Sequence, residues 1–390
     1  FGLIGFDYAW KRNDSIIRGR LTHFKERAKF LLGKYFLLLR TYRNIGKGFS
    51  YILKKILIEK EQAIMYKMRN NQINKENVWA FWQKMNHATP EQVPGIIKDS
   101  FCDDVDWNGS APINQIVGVD ALIADFYQPL LRSFPDLKRN AYVFMGGYDY
   151  GLPGYSSSSD EEWVSGCGYL TGTFDKDWLG IPATGKKTNI FFGQFYRMHE
   201  GKIAESYVLY DILAVVRQAG FQLLPPAPGA EGGRIPAPYA RDGVILIEQD
   251  ELESRKSLQI VEAMGRGLER YRRPRDGGNM DTMEEWHTWH PQMKWYGLSG
   301  IGCTFSMEEF QDFHQRPWLH GFGDRNMESD GRGRTMGFVG EGLYSIGGIW
   351  DSVFSYNHGE YAGIPATGKL MTMRDFDWWK RDGDLIIENW

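Results

Sequence analysis

Glu205 and Asp211 stand six residues apart in a run, Ile203–Tyr210 and onward, whose alternation reads as a strand. Without a bulge, both carboxylates fall on one face of that strand. Tyr207 and Gln194 are candidate hydrogen-bond donors to a ligand beside them, and Trp107 is a candidate wall. Glu205 is suited to holding or polarising such a ligand. Asp211 immediately precedes Ile-Leu-Ala-Val-Val-Arg-Gln-Ala-Gly, where an Asp is a favoured helix N-cap. The residues alone leave cap and acid–base group open.

A second set lies further along. His287 and His290, in Glu-Glu-Trp-His-Thr-Trp-His-Pro, have the i, i+3 spacing of one helical face, and His290 reads as a helix-end residue near Trp295. No carboxylate sits at motif spacing from these histidines, so no metal site is expected. His290, Trp295, His314 and Glu341, the last at the start of a predicted strand, are candidate lining residues for a second pocket. Gly185-Lys186-Lys187-Thr188 lacks the upstream glycine of a phosphate loop, and no G-x-S-x-G elbow occurs. No cofactor is expected. Both a cofactor-free enzyme and a plain binding protein would read this way.

The elements that must position these residues repeat. Ile181-Pro-Ala-Thr-Gly-Lys186 recurs unchanged as Ile364-Pro-Ala-Thr-Gly-Lys369, and Trp107-Asn-Gly109 pairs with Trp295-Tyr-Gly297. The matches keep their order, so two copies of one fold are expected. In the first copy, helices at Glu76–Met85 and after Pro90 precede a strand at Asp104–Trp107. An amphipathic helix over Val119–Phe134, kinked at Pro129, follows. Strands then read at Ala141–Met145, Trp163–Phe174, Thr188–His199 and Ile203–Tyr210, the last two joined by Glu200-Gly201 as a hairpin. Helices first and antiparallel strands afterwards give an α+β class.

The expected organisation is a basic N-terminal extension over 1–72, a first domain over 73–222, a Pro/Gly-rich linker over 223–250 and a second domain over 251–390. Trp390 aligns with Tyr207, so the second copy reads as truncated, without a counterpart of Asp211. The net charge of -3 gives no reason to expect a nucleic-acid partner. Three scattered cysteines indicate neither a disulfide framework nor a zinc site, and a reducing, cytoplasmic setting is expected. Membrane contact is expected, if anywhere, only through residues 1–60, where Arg27–Leu57 could form a basic amphipathic helix.

The run from Phe192 to Asp211, with Arg217-Gln-Ala-Gly220, Leu179-Gly-Ile-Pro-Ala-Thr-Gly185 and His314-Gln-Arg-Pro-Trp318, resembles the closing hairpin and loops of SnoaL-like polyketide cyclases. These belong to the nuclear-transport-factor-2-like (NTF2-like) superfamily. The resemblance covers about residues 75 to 390. It implies two tandem NTF2-like cone domains, each a curved, mostly antiparallel sheet wrapped by helices. It also implies catalysis without cofactor on a hydrophobic, carbonyl-bearing small molecule: a cyclase, isomerase or hydrolase with Asp211 as acid/base. For that role a water-poor aromatic cavity would raise the pKa of Asp211. The alternative is a non-catalytic small-molecule binder or scaffold built on the same cavity, with Asp211 as a cap. Members commonly pair through the sheet, which implies an intramolecular pseudo-dimer or a homodimer.

Overall fold

The structure, a computed structural model, describes residues 47–151, 160–271, 279–323 and 334–390. The chain forms two compact units, residues 1–65 and 66–390. The proposed amphipathic helix over Arg27–Leu57 lies largely outside the described residues. No helix among the described residues is long and apolar enough to cross a membrane.

The larger unit holds two six-stranded sheets of one design. The first has the order β2-β1-β6-β5-β4-β3 and the second β8-β7-β12-β11-β10-β9. The first is built from β1 (Phe101–Gly109), β2 (Gln115–Val117), β3 (Lys138–Tyr148), β4 (Glu162–Thr173), β5 (Lys187–His199) and β6 (Lys202–Tyr210). The second uses β7 (Trp289–Tyr296), β8 (Cys303–Thr304), β9 (Arg334–Glu341), β10 (Tyr344–Tyr356), β11 (Leu370–Asp382) and β12 (Leu385–Asn389). All pairings are antiparallel except β1 with β6 and β7 with β12. The fold is therefore α+β, with two sheets of one topology, each covered by helices on one face and called here the first and second cones.

Helices cover one face of each sheet. In the first cone these are the part of α1 (Lys47–His87) from Tyr66 onward, α2 (Val93–Ser100) and a bent helix α3, whose consecutive parts are Val119–Ala121, Leu122–Tyr127 and Gln128–Ser133. Val78, Phe81 and Trp82 of α1 and Leu122, Phe126 and Leu130 of α3 share one core with Phe192, Tyr196 and Val208 of the sheet. The short helix α4 (Ile212–Gln218) follows β6, and no further helix or strand occurs before α5 (Glu251–Arg270). In the second cone, α5 and a second bent helix α6 (parts Met307–Phe310, Gln311–Gln315 and Arg316–Gly321) occupy the corresponding places.

The middle parts of α3 and α6 are π-helical, and a proline follows each at the second position of the next part. Pro129 and Pro317 have no N–H to offer the carbonyl one turn back, so the regular ladder cannot run through. The wider turn before each proline re-routes it. The expected kink at Pro129 thus takes the form of a π-turn on its N-terminal side.

The repeated hexapeptide is turn chemistry. Ile181 pairs with Trp178 and Ile364 with Tyr361 in two matching bridges. Gly185 and Gly368 both have φ +64, a conformation that favours glycine. Their amides donate to Phe174 O (2.8 Å) and Asn357 O (3.0 Å), closing the same loop twice.

The other faces of the two sheets pack on each other. Phe195 lies 4.9 Å from Phe376 and 5.5 Å from Trp378, and Tyr207 lies 5.5 Å from Trp350, ring centre to ring centre. Gly193 is needed there, since a Cβ would sit 2.6 Å from the Trp378 ring.

Three local expectations are corrected. His287 ends a 3-10 turn and His290 belongs to strand β7, so the pair does not share a helical face. Pro291 sits inside β7, so His290 is no helix end. Glu341 closes β9 where it was expected to open a strand.

Candidate functional site

Strand alternation sorts β5 and β6 into two faces. Phe191, Phe195 and Tyr207 look toward the second sheet. Phe192, Tyr196, Val208 and Tyr210 look into the first cone. Gln194 falls on the inward side with them. It is 1% exposed and is the hub of a buried polar network. The Tyr196 hydroxyl donates to Gln194 Oε1 at 2.7 Å, as does Arg139 Nη1 at 2.5 Å. Gln194 Nε2 donates to the Tyr210 hydroxyl at 3.3 Å, and Trp82 Nε1 donates to Tyr196 at 3.2 Å.

Around this network the walls are aromatic. Trp107, fully buried on β1, packs its ring 4.5 Å from Phe126 of α3, and Phe126 lies 5.9 Å from Tyr210. Burial pushes the hydroxyls of Tyr127, Tyr196 and Tyr210 up from their ordinary range, partly opposed at each by the Arg139 charge. The three phenols are therefore neutral donors at physiological pH. Trp107 Nε1, Ser110 Oγ and Ser206 Oγ are among the buried polar atoms of the first cone that have no hydrogen-bond partner. Buried donors are nearly always satisfied, so such atoms invite a ligand or water.

Outside Phe126 lies a cleft of about 480 Å³. Ile113 before β2 and Ile116 within it, Phe126, Pro129 and Arg132 of α3, and Lys176–Leu179 before the hexapeptide loop line it. Its size suits a small organic molecule. Phe126 is common to cleft and interior, with Tyr210 behind it.

Asp211 turns away from this interior. Its Oδ1 accepts from Ala214 N at 2.9 Å as the N-cap of α4. Its Oδ2 accepts from Ser299 N (3.1 Å) and Ser299 Oγ (2.9 Å) in the second cone's β7–β8 turn. Burial raises its pKa, opposed by those hydrogen bonds and by Arg217. The carboxylate is thus a cap and a tether between cones, which corrects the expectation that it faces the cavity. Glu205 and Tyr207 also leave the interior. Glu205 accepts from Arg197 (2.6 Å) and from the Tyr207 hydroxyl (3.0 Å), while the Tyr207 ring packs between Trp163 and Trp350.

In the second cone, Trp295 stacks on His314 with ring centres 3.9 Å apart. His314 occupies the π-turn as Phe126 does in the first cone. Its Nδ1 is buried without a partner, and burial lowers its pKa to about 3. His290 Nδ1 accepts from Gln292 N at 3.0 Å and stays local. Glu341 is buried in an ion pair with Lys75 of α1 and accepts from Gly146 N at 2.9 Å, so it lines no pocket.

Of the sequence candidates, the structure brings Trp107 and Gln194 together in the first cone, and Trp295 and His314 in the second. Sequence reasoning misses Tyr196, which alternation from Gln194 would have found two residues on. It also misses Arg139 at the start of β3, for which no local signal exists.

The profile of the SnoaL-like polyketide cyclase family matches residues 157–219, the stretch that holds Gln194, Tyr196, Tyr210 and part of the cleft. No curated protein matches the chain by sequence. Among solved structures, IdmH from Streptomyces antibioticus is 14% identical over 38% of this chain and 99% of its own, with a TM-score of 0.31. A SnoaL-like polyketide cyclase from Agrobacterium tumefaciens strain C58 is 18% identical over 38% and 98%, with a TM-score of 0.28. TsrD from Streptomyces laurentii is 16% identical over 37% and 96%, with a TM-score of 0.27.

Proposed function

We propose that the chain is a small-molecule enzyme of the cyclase or isomerase type, working without a cofactor on a hydrophobic, carbonyl-bearing compound. The compound enters by the cleft outside Phe126 and places its carbonyl oxygen against the polar network of the first cone. The supporting observation is that network itself: neutral donors held rigidly in an aromatic interior. Tyr210 accepts from Gln194, which leaves the Tyr210 O–H proton free to donate. Donors fixed before the reaction and shielded from water stabilise negative charge developing on oxygen, as in an enolate.

Asp211 has no place in this chemistry as drawn, because its oxygens are engaged by Ala214 and Ser299. That engagement favours a second reading, a non-catalytic binder using the same chamber. The two readings share the binding step and differ in turnover.

The test uses 2-acetylnaphthalene as a hydrophobic ketone and follows quenching of tryptophan fluorescence, since Trp107 and Trp178 flank the route. Gln194→Leu should weaken binding about tenfold through loss of the network's hub. Tyr210→Phe should weaken it by a similar factor. Binding unchanged in both variants, or none in the unaltered protein, would remove the first cone as the site.

A further inference from the structure

We infer that the first cone selects ligands carrying an anionic oxygen, of the carboxylate class, and that Arg139 is the residue that selects them. The inference rests on the reading that this cone binds small molecules and adds the charge of what it binds.

Elsewhere the fold partners its buried cations with acids. Lys75 is paired with Glu341, Arg381 with Glu253, Lys380 with Asp242 and Arg197 with Glu205. Arg139, half-buried like Arg197, has no acid beside it among the described residues. Its guanidinium carbon sits 4.3 Å over the Trp82 ring and 4.3 Å over the Phe192 ring. Its side chain has one protein hydrogen bond, from Nη1 to the neutral amide oxygen of Gln194. No carboxylate among the described residues pairs with it, and it has no further partner among them.

The tyrosines around Arg139 do not supply the missing charge. Burial keeps Tyr127, Tyr196 and Tyr210 protonated. A cation taken out of water is costly unless paired, and two aromatic faces compensate only in part. The two rings meet at 89° with centres 5.7 Å apart and form an aromatic corner against the guanidinium. With Nη1 held by Gln194, the Nε and Nη2 donors remain for an oxyanion. Arg139 is partly open to solvent.

The experiment compares 2-naphthoate with 2-naphthamide, near-isosteres of different charge, on the full chain by isothermal titration calorimetry. In the unaltered protein the carboxylate should bind at least about tenfold more tightly than the amide. Arg139→Met should erase that preference, weakening carboxylate binding about tenfold more than amide binding. Arg139→Lys should restore part of it, which a merely structural role would not do. If Arg139→Met fails to fold, Arg139→Gln, which keeps hydrogen-bonding capacity without charge, carries the same comparison.

Equal binding of both probes to the unaltered protein overturns the inference and leaves the binding chamber standing. A preference that survives Arg139→Met overturns it equally. Binding of neither probe overturns it together with the chamber.

Discussion

The two cones share a strand order and differ in what they enclose. The mutual hydrogen bonds of Phe195 with Tyr207 and of Trp378 with Trp390 set the two closing hairpins in register. Phe192, Gln194 and Tyr196 then correspond to Asp375, Asp377 and Trp379. Phe376 and Trp378 join the inter-sheet core, so Asp375 and Asp377 fall on the inward face of the second sheet. Asp375 is exposed and Asp377 half-buried; burial pushes the Asp377 carboxyl up, and the nearby charge of Asp375 pushes it further. Asn389 donates to Asp377 at 2.8 Å. One interior is thus cationic and phenolic, and the matching side of the other carries the half-buried acid Asp377 and the imidazole of His314. The backbone requires neither set. It fixes which positions look inward and leaves their chemistry free, which is why a fold alone does not name a reaction.

If each cone is a separate chemical room on a shared wall, damage to the wall should cost more than damage to either room. The sharpest point of that wall is the pair between Lys75 in α1 and Glu341 at the end of β9, exposed 0% and 4%. Removing one partner strands a buried charge, at a cost of about 3–5 kcal/mol. Glu341→Leu and Lys75→Met should each show this in urea unfolding monitored by circular dichroism. The double variant should recover most of the loss, since an apolar pair of similar volume is about as stable as a buried ion pair. A double variant as damaged as the sum of the singles would mean the pair is not coupled.

The next comparison exchanges matching residues between rooms. The pKa of His314 falls from an ordinary 6.5 to about 3 on folding, because burial disfavours the imidazolium. Below pH 6.5 the unfolded chain therefore binds a proton that the folded chain refuses. Stability is lost as pH falls from 6.5 toward 3, by roughly 1.4 kcal/mol per pH unit. His314→Phe copies the first cone's Phe126 and removes that slope. At pH 4.5 it should be more stable than the unaltered protein by roughly 2–3 kcal/mol, with a far smaller difference at pH 7.5. Urea titrations at the two pH values measure this. Phe126→His should install the same acid sensitivity in the first cone.

The sequence made the repeat and most strands legible, because both depend on local order. Alternation gave β4 to β6 nearly as they stand but only the middle of β3, and Ile-Pro-Ala-Thr-Gly-Lys, read as a repeat, proved to be a turn whose glycine is required twice. Strand β7 was hidden by Pro291, which reads as a helix stop when the neighbouring ladder is out of view. The site was legible only where one strand carries it: Gln194 and Trp107 were found, and Arg139 was not. The position of Arg139 against Trp82 and Phe192 depends on three distant elements that no window contains. Asp211 shows the opposite failure. Its cap was readable from the seven residues after it, but Ser299, 88 residues on, was not.

Asp211 also yields the smallest and most discriminating effect. As an N-cap tied to Ser299, it should lose about 1 kcal/mol on replacement by Ala, read as a lower urea midpoint. Asn caps helices nearly as well, so Asp211→Asn should keep most of that stability. The burial-raised pKa of Asp211 gives the sign of its pH dependence. A carboxyl whose folded pKa exceeds its unfolded value favours the folded state most at low pH. That share is lost as pH rises through the folded pKa. Asp211→Asn, which does not ionise, should therefore gain on the unaltered protein as pH rises from 4 to 7. Affinity for 2-acetylnaphthalene should not change in either variant, because the carboxylate faces Ser299 and α4, away from Gln194. An Asp211→Asn protein that keeps its stability yet loses turnover of a cognate substrate would return the acid–base role to this residue. That result would require the Ser299 contact to open during reaction.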